Sequence, residues 1–124
     1  MVLKVEELEV YKLARELSRI AWDIYKEMNW QNKKVIGEQF ITAIDSIGAN
    51  ITEGYGRFHY LDRVKFFYNA RASLCESIFY WLELLKEREL INDKDYKQIQ
   101  KISKNLMIKL NNLIKTTRKS KNEK

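Results

Sequence analysis

The sequence predicts an all-α protein, an antiparallel up-down-up-down four-helix bundle that is oligomeric. Three observations carry this expectation. The 124 residues include no proline and only four glycines, and turns and strands ordinarily need those residues whereas long helices exclude them. Apolar side chains recur at three- and four-residue steps through four long stretches. The breaks between the stretches are short and polar, as in a bundle of sequentially adjacent helices. A chain of this length suffices for one core and no more. Its 45% hydrophobic content and mean hydropathy of −0.49 suit a folded, water-soluble domain.

The first helix is expected over residues 6–28, where Val10, Leu13, Ala14, Leu17, Ile20, Ala21, Ile24 and Met28 form one stripe. Lys12, Glu16, Arg19, Asp23 and Lys26 alternate in sign on the opposite face, the pattern of a solvated helix surface. Residues 29–33 are polar and break the period, so a loop is expected there. The second helix follows over 34–55, with Ile36, Phe40, Ala43, Ile44, Ile47 and Ile51 facing the core. Beside that stripe runs a hydrogen-bonding one, Gln39, Ser46, Asn50, Glu53 and Arg57. Gly54 and Gly56 are expected to end the helix in the left-handed conformation. Gly48 stands mid-helix at a cost of about 1 kcal/mol relative to alanine, which points to a bend, a close backbone approach or simple tolerance of the glycine.

The third helix, over 61–89, has Val64, Phe67, Leu74, Ile78, Trp81 and Leu85 on one seam and Phe66, Ala70, Ser73, Ser77, Tyr80 and Leu84 on a second. One bundle core needs roughly a 100° stripe, so the surplus is expected to face a partner subunit. Arg71 interrupts the main seam and either snorkels outward or pairs with a carboxylate such as Glu53 or Asp45. The pair is preferred, because an unpaired buried charge is costly. The fourth helix, over 93–116, follows Asn92 as N-cap with Asp93 and Asp95 in its first turn. Tyr96, Ile99, Ile102, Leu106, Leu110 and Leu113 form its stripe. Residues 1–116 thus make one domain, and 117–124 a basic tail expected to fray.

Charge is distributed unevenly. Residues 93–124 hold ten basic and three acidic groups, whereas 1–92 hold thirteen and fourteen, so the formal net charge of +6 resides in the last quarter. Lys94, Lys97, Lys101 and Lys104 share one stripe, and Lys115, Arg118 and Lys119 return near its direction. Clustered cations on one face provide the salt-dependent part of nucleic-acid affinity. No aromatic residue interleaves with these lysines, so base stacking and sequence-specific reading are not indicated there.

Other chemistries find little support. One cysteine and one histidine exclude an internal disulfide, a Cys-based zinc site and paired-histidine di-iron sites. The polar stripe around Ser46 lacks a nucleophile and base pair, so catalysis is not expected, and neither a metal nor a cofactor is. His59 reads as a surface loop residue and Cys75 as a small structural one. The first ten residues carry Lys4, Glu6, Glu7 and Glu9 rather than an apolar leader. No stretch approaches the roughly 20 apolar residues of a membrane span. A cytoplasmic location without membrane contact is the expectation.

The run Ser46-Ile47-Gly48-Ala49-Asn50-Ile51-Thr52-Glu53-Gly54, followed by Arg57, resembles the Ser-Ile-Pro-x-Asn-Ile-x-Glu-Gly run and Arg of the bacterial 23S rRNA intervening-sequence protein family. Leu8 to Ala14 resembles that family's first-helix opening, and Ala70-Arg71-Ala72-Ser73-Leu74-Cys75-Glu76 its Ala-x-Gly-Ser-x-x-Glu. Gly48 stands where the family carries proline, and Ala72 where it carries glycine. The resemblance spans residues 8–113. It implies a four-helix bundle that assembles with itself, as a ring of five, like the similar accessory protein of diversity-generating retroelements, with a genomic connection to ribosomal RNA.

Residues and resemblance together lead to a non-catalytic, homo-oligomeric protein that binds RNA or DNA, or associates with the ribosome, through Lys97, Lys101, Lys104, Lys115, Arg118 and Lys119. Asn50, Glu53, Arg57 and Arg71 are expected to form a polar network across helices or between subunits. The alternative is an assembly adaptor whose ligand is another protein, such as a reverse transcriptase.

Overall fold

Four long helices account for most of residues 3–120, the span that the computed structural model describes, and no strand occurs among them. A 3-10 turn, Val5–Glu7, precedes α1, Glu9–Glu27. The Lys4 N–H donates to the Glu7 carboxylate at 2.9 Å, closing that turn, so the helix starts later than its apolar period predicts. Val10, Ala14, Leu17 and Ala21 are its buried face. The Tyr55 hydroxyl donates to the Leu3 carbonyl and ties the segment ahead of α1 to the end of the second helix.

The second helix, α2, begins earlier than the sequence predicts. Trp30–Asn32 is already helical, because the Asn29 side chain accepts the Asn32 N–H at 2.8 Å. A capped turn facing water needs no apolar stripe, which is why residues 29–33 read as a loop. A π-helical turn, Lys33–Gly37, then leads into Glu38–Tyr55. The extra residue of a π turn shifts the helix face and brings Ile36 and Gly37 into the core. Phe40, Ile44, Ile47 and Ile51 continue that buried face.

The third helix, α3, is built from Tyr60–Glu76, a second π turn Ser77–Trp81, and Leu82–Glu87. His59 caps it, its Nδ1 accepting the Leu61 N–H at 3.2 Å. It ends at Glu87, where Glu89 takes a φ of 58°. The N–H groups of Leu90 and Glu89 return to the carbonyls of Leu85 and Lys86 at 2.8 and 3.1 Å. No glycine among the described residues has positive φ. The left-handed residue is therefore Glu89, contrary to the expectation for Gly54 and Gly56.

The fourth helix, α4, is Asp93–Lys119, capped by Asn92 accepting the Asp95 N–H at 2.7 Å. It outruns its predicted end at residue 116. Thr117 is buried and its hydroxyl donates to the Leu113 carbonyl at 2.7 Å, so the last turn is held despite its polar composition. Residues 121–124 of the expected tail lie outside the described span.

Helix α1 packs against α2 and α4, and α3 packs against the same two. Leu17, Phe40, Phe67, Leu74, Leu85 and Leu106 are among the fully buried side chains of the shared core. Contacts along α3 and α4 run in opposite order: Lys86 with Asp93 at 2.8 Å, Arg71 with Asn111 at 2.8 Å, and Tyr68 with Arg118 at 3.2 Å. The apolar surplus of α3 is divided. Ala70 and Ser77 are buried, while Phe79 and Tyr80 stand in solvent. No helix among the described residues is long and apolar enough to cross a membrane.

Candidate nucleic-acid interface

Helix α4 positions the basic residues by burying its other side. Ile99, Ile102, Leu106, Leu110 and Ile114 occupy the core, and the same periodicity turns Lys97, Lys101, Lys104, Lys115, Arg118 and Lys119 outward, all six exposed. Among the described residues none of the six is in an ion pair. The ion pairs found there are Lys26 with Asp23, Arg57 with Glu53, and Lys86 with Asp93. The Arg118 guanidinium donates to the Tyr68 hydroxyl. Tyr68 also lies under the Arg71 guanidinium, 4.7 Å from ring centroid to Cζ. An aromatic residue of α3 thus borders the basic ridge, although no aromatic is interleaved with it in sequence.

At the start of α4 the Asp93 carboxylate is engaged. Lys86 bonds Asp93 and holds its carboxyl below the usual carboxylate range, with a smaller contribution from the Lys97 charge. Among the described residues the ridge cations are not balanced by ion pairs, and such a ridge can hold a polyanion by charge.

The expected polar network separates into three pieces. Asn50 donates to the Ser46 carbonyl and hydroxyl at 2.9 and 3.0 Å, and Ser46 meets Ser73 of α3 at 3.0 Å. Glu53 and Arg57 pair with each other, one turn apart on the surface, and the Arg57 guanidinium covers the Phe66 ring. Among the described residues Arg71 pairs with no carboxylate. It bonds the Asn111 side chain and stacks on Tyr68, because Glu53 and Asp45 lie on outer positions of α2 while α4 runs beside Arg71. Gln39 is exposed, outside all three. Within the chain, the seam between α2 and α3 is held by Ser46 and Ser73 rather than by the charged residues.

A feature not anticipated from the sequence lies beside the ridge. Leu74, Ile78 and Phe79 of α3 and Ser103, Met107 and Ile108 of α4 line an apolar groove of about 410 Å³, with Lys104 at its lip. The signal was Ile108, an apolar residue on the outward stripe of lysines, but its partners come from a helix some 30 residues away in sequence. Cys75 is a half-buried thiol. No group of three or more potential metal ligands occurs among the described residues.

Comparison with known proteins places this architecture. A solved structure from Bacteroides thetaiotaomicron VPI-5482, described as a protein with unknown function from the S23 ribosomal protein family, is similar in fold with a TM-score of 0.78. It is 30% identical, over 86% of this chain and 95% of that one. Functionally curated proteins give no match. The family model for the 23S rRNA-intervening sequence protein matches residues 6–112. With both the α2 motif and the fold included in that span, this chain belongs to the 23S rRNA-intervening sequence protein family.

Proposed function

We propose that this protein is a non-catalytic accessory factor, an up-down-up-down bundle that self-associates and binds RNA or another nucleic acid through the basic ridge of α4. The observation that carries the reading is the ridge itself: Lys97, Lys101, Lys104, Lys115, Arg118 and Lys119 are exposed on one helix, with no carboxylate among the described residues paired to any of them. Phosphate contacts by such cations release counterions and are indifferent to sequence. Binding is therefore weak, unspecific and steeply salt-dependent. A cytoplasmic site of action accords with this role.

Self-association, as a ring of five on the family resemblance, draws support from apolar side chains left in solvent away from the ridge. Trp22 on α1, Val35 on α2 and Tyr80 on α3 are each more than half exposed. Light scattering at micromolar concentration tests it: an oligomeric mass is expected, and a stable monomer contradicts it.

The nucleic-acid reading is tested by fluorescence anisotropy with a labelled single-stranded RNA at about 50 mM salt, the regime in which backbone contacts are strong. Reversing Lys115, Arg118 and Lys119 to Glu, or Lys97, Lys101 and Lys104 to Glu, is expected to weaken binding by ~10-fold or more in each case. Unchanged affinity in both triple variants overturns the assignment.

A further inference from the structure

The groove between α3 and α4 has the dimensions and chemistry of a docking site. Its volume of about 410 Å³ lies within the ~300–1,000 Å³ typical of binding pockets. Two of its wall residues stand largely in solvent, Phe79 at 71% and Ile108 at 54% exposure. At its floor, the Ser103 hydroxyl is buried and has no hydrogen-bond partner. Native proteins rarely leave such a group unpaired. The α3 wall includes the π turn Ser77–Trp81, a wide turn that recurs at functional sites.

Charge lies on one side of this groove. Lys97, Lys101, Lys104 and Ile108 follow steps of four, three and four residues, a single ridge of α4. Lys104 lines the groove, and the exposed Lys97 and Lys101 continue its ridge toward the start of α4. The groove floor along α4, from Gln100 to Ile108, is about 12 Å long at the helical rise of ~1.5 Å per residue. That length accommodates two turns of a helix.

We propose that the groove receives an acidic amphipathic helix of a partner protein. Apolar side chains one and two turns apart insert between Phe79 and Ile108, and carboxylates on the adjoining face meet Lys97, Lys101 and Lys104. A helix laid into an apolar groove is a recurrent recognition mode. A nucleic-acid backbone would match the lysines but leave Phe79, Met107 and Ile108 uncovered. The outer face of α1 alternates in sign through Lys12, Glu16, Arg19, Asp23 and Lys26, so that face of a second copy does not match the lysines.

The test is anisotropy with the full-length protein and a labelled helical peptide of about 14 residues, bearing Leu at i, i+4 and i+7 and Glu on the adjoining face. Controls are the same peptide with Lys for Glu and a scrambled peptide of the same composition. The acidic peptide is expected to bind ~10-fold more tightly than either control, and Phe79→Ala or Ile108→Asp to weaken it by ~10-fold. Lys101→Glu with Lys104→Glu is expected to abolish the preference for the acidic peptide. Both apolar positions are exposed, so the variants fold, which thermal melts monitor. No binding at ~1 mM peptide, or equal binding of the scrambled peptide, overturns the proposal. So does an Ile108→Asp variant that dissociates a wild-type oligomer, which assigns the groove to a second copy. The titrations contain no RNA, and their outcome is independent of the nucleic-acid measurement.

Discussion

Ser46 on α2 and Ser73 on α3 place their hydroxyl oxygens 3.0 Å apart, joining the polar stripes of two helices that are otherwise packed through apolar side chains. Asn50 donates to Ser46 from one side, and Ser77 donates to the Ser73 carbonyl at 2.7 Å on the other. Ser73→Ala removes the interhelical bond and leaves a half-buried hydroxyl with fewer partners. The expected loss is about 1 kcal/mol, read as a lower urea midpoint at unchanged slope. Adding Ser46→Ala costs less than its effect in the wild type, since the two share one contact.

Gly54 and Gly48, both in α2, respond in opposite directions to alanine. A Cβ on Gly54 would stand 2.9 Å from Phe66 Cβ and 2.9 Å from Phe67 Cε1, so α2 approaches α3 through this glycine. Gly54→Ala forces the helices apart and is expected to destabilise by ~1–3 kcal/mol. At Gly48 the nearest atom to an added Cβ is Ala14 Cβ at 3.6 Å, an ordinary contact. Gly48→Ala is expected to stabilise by ~0.5–1 kcal/mol through helix propensity and unfolded-state entropy. Thermal melts of the two variants check both signs.

Glu89 holds a left-handed conformation, φ 58°, to close the end of α3. A side chain there costs of order 1–3 kcal/mol that glycine does not incur. Glu89→Gly is expected to raise stability by about 1 kcal/mol, and a lower melting temperature contradicts this reading of the turn.

The Tyr96 hydroxyl donates to the Glu83 carboxylate, and that bond, with burial and the carboxylate charge behind it, raises the phenol above the ordinary tyrosine range. A raised folded value means that the stabilisation is fully present below the unfolded tyrosine pKa of about 10. It is lost as pH rises through the higher folded value. In an ultraviolet titration, Glu83→Gln is expected to bring one tyrosine midpoint down, and identical curves contradict the assignment.

The four helices were legible because their cores repeat at helical period, and Asn92 with its acids marked the start of α4 correctly. The start of α2 was not, since a capped turn and a π turn interrupt the period between Asn29 and Glu38. The end of α4 was hidden by composition: Thr117 looks like tail, yet its backbone-directed hydroxyl and burial extend the helix. The basic ridge could be read from spacing alone. Its neighbouring groove could not, because Phe79 and Ile108 belong to different helices and their proximity is a product of packing. Arg71 shows the same limit, since its partner Asn111 lies 40 residues away.

The most direct measurement is the salt dependence of single-stranded RNA binding. If the six basic residues of α4 each neutralise a phosphate, the logarithm of the association constant falls linearly with the logarithm of salt concentration, with a slope of about −4. Replacing Lys115, Arg118 and Lys119 by Gln flattens that slope by about 2. Absence of binding at about 50 mM salt, or a slope that these replacements leave unchanged, contradicts the assignment of α4 as the nucleic-acid interface.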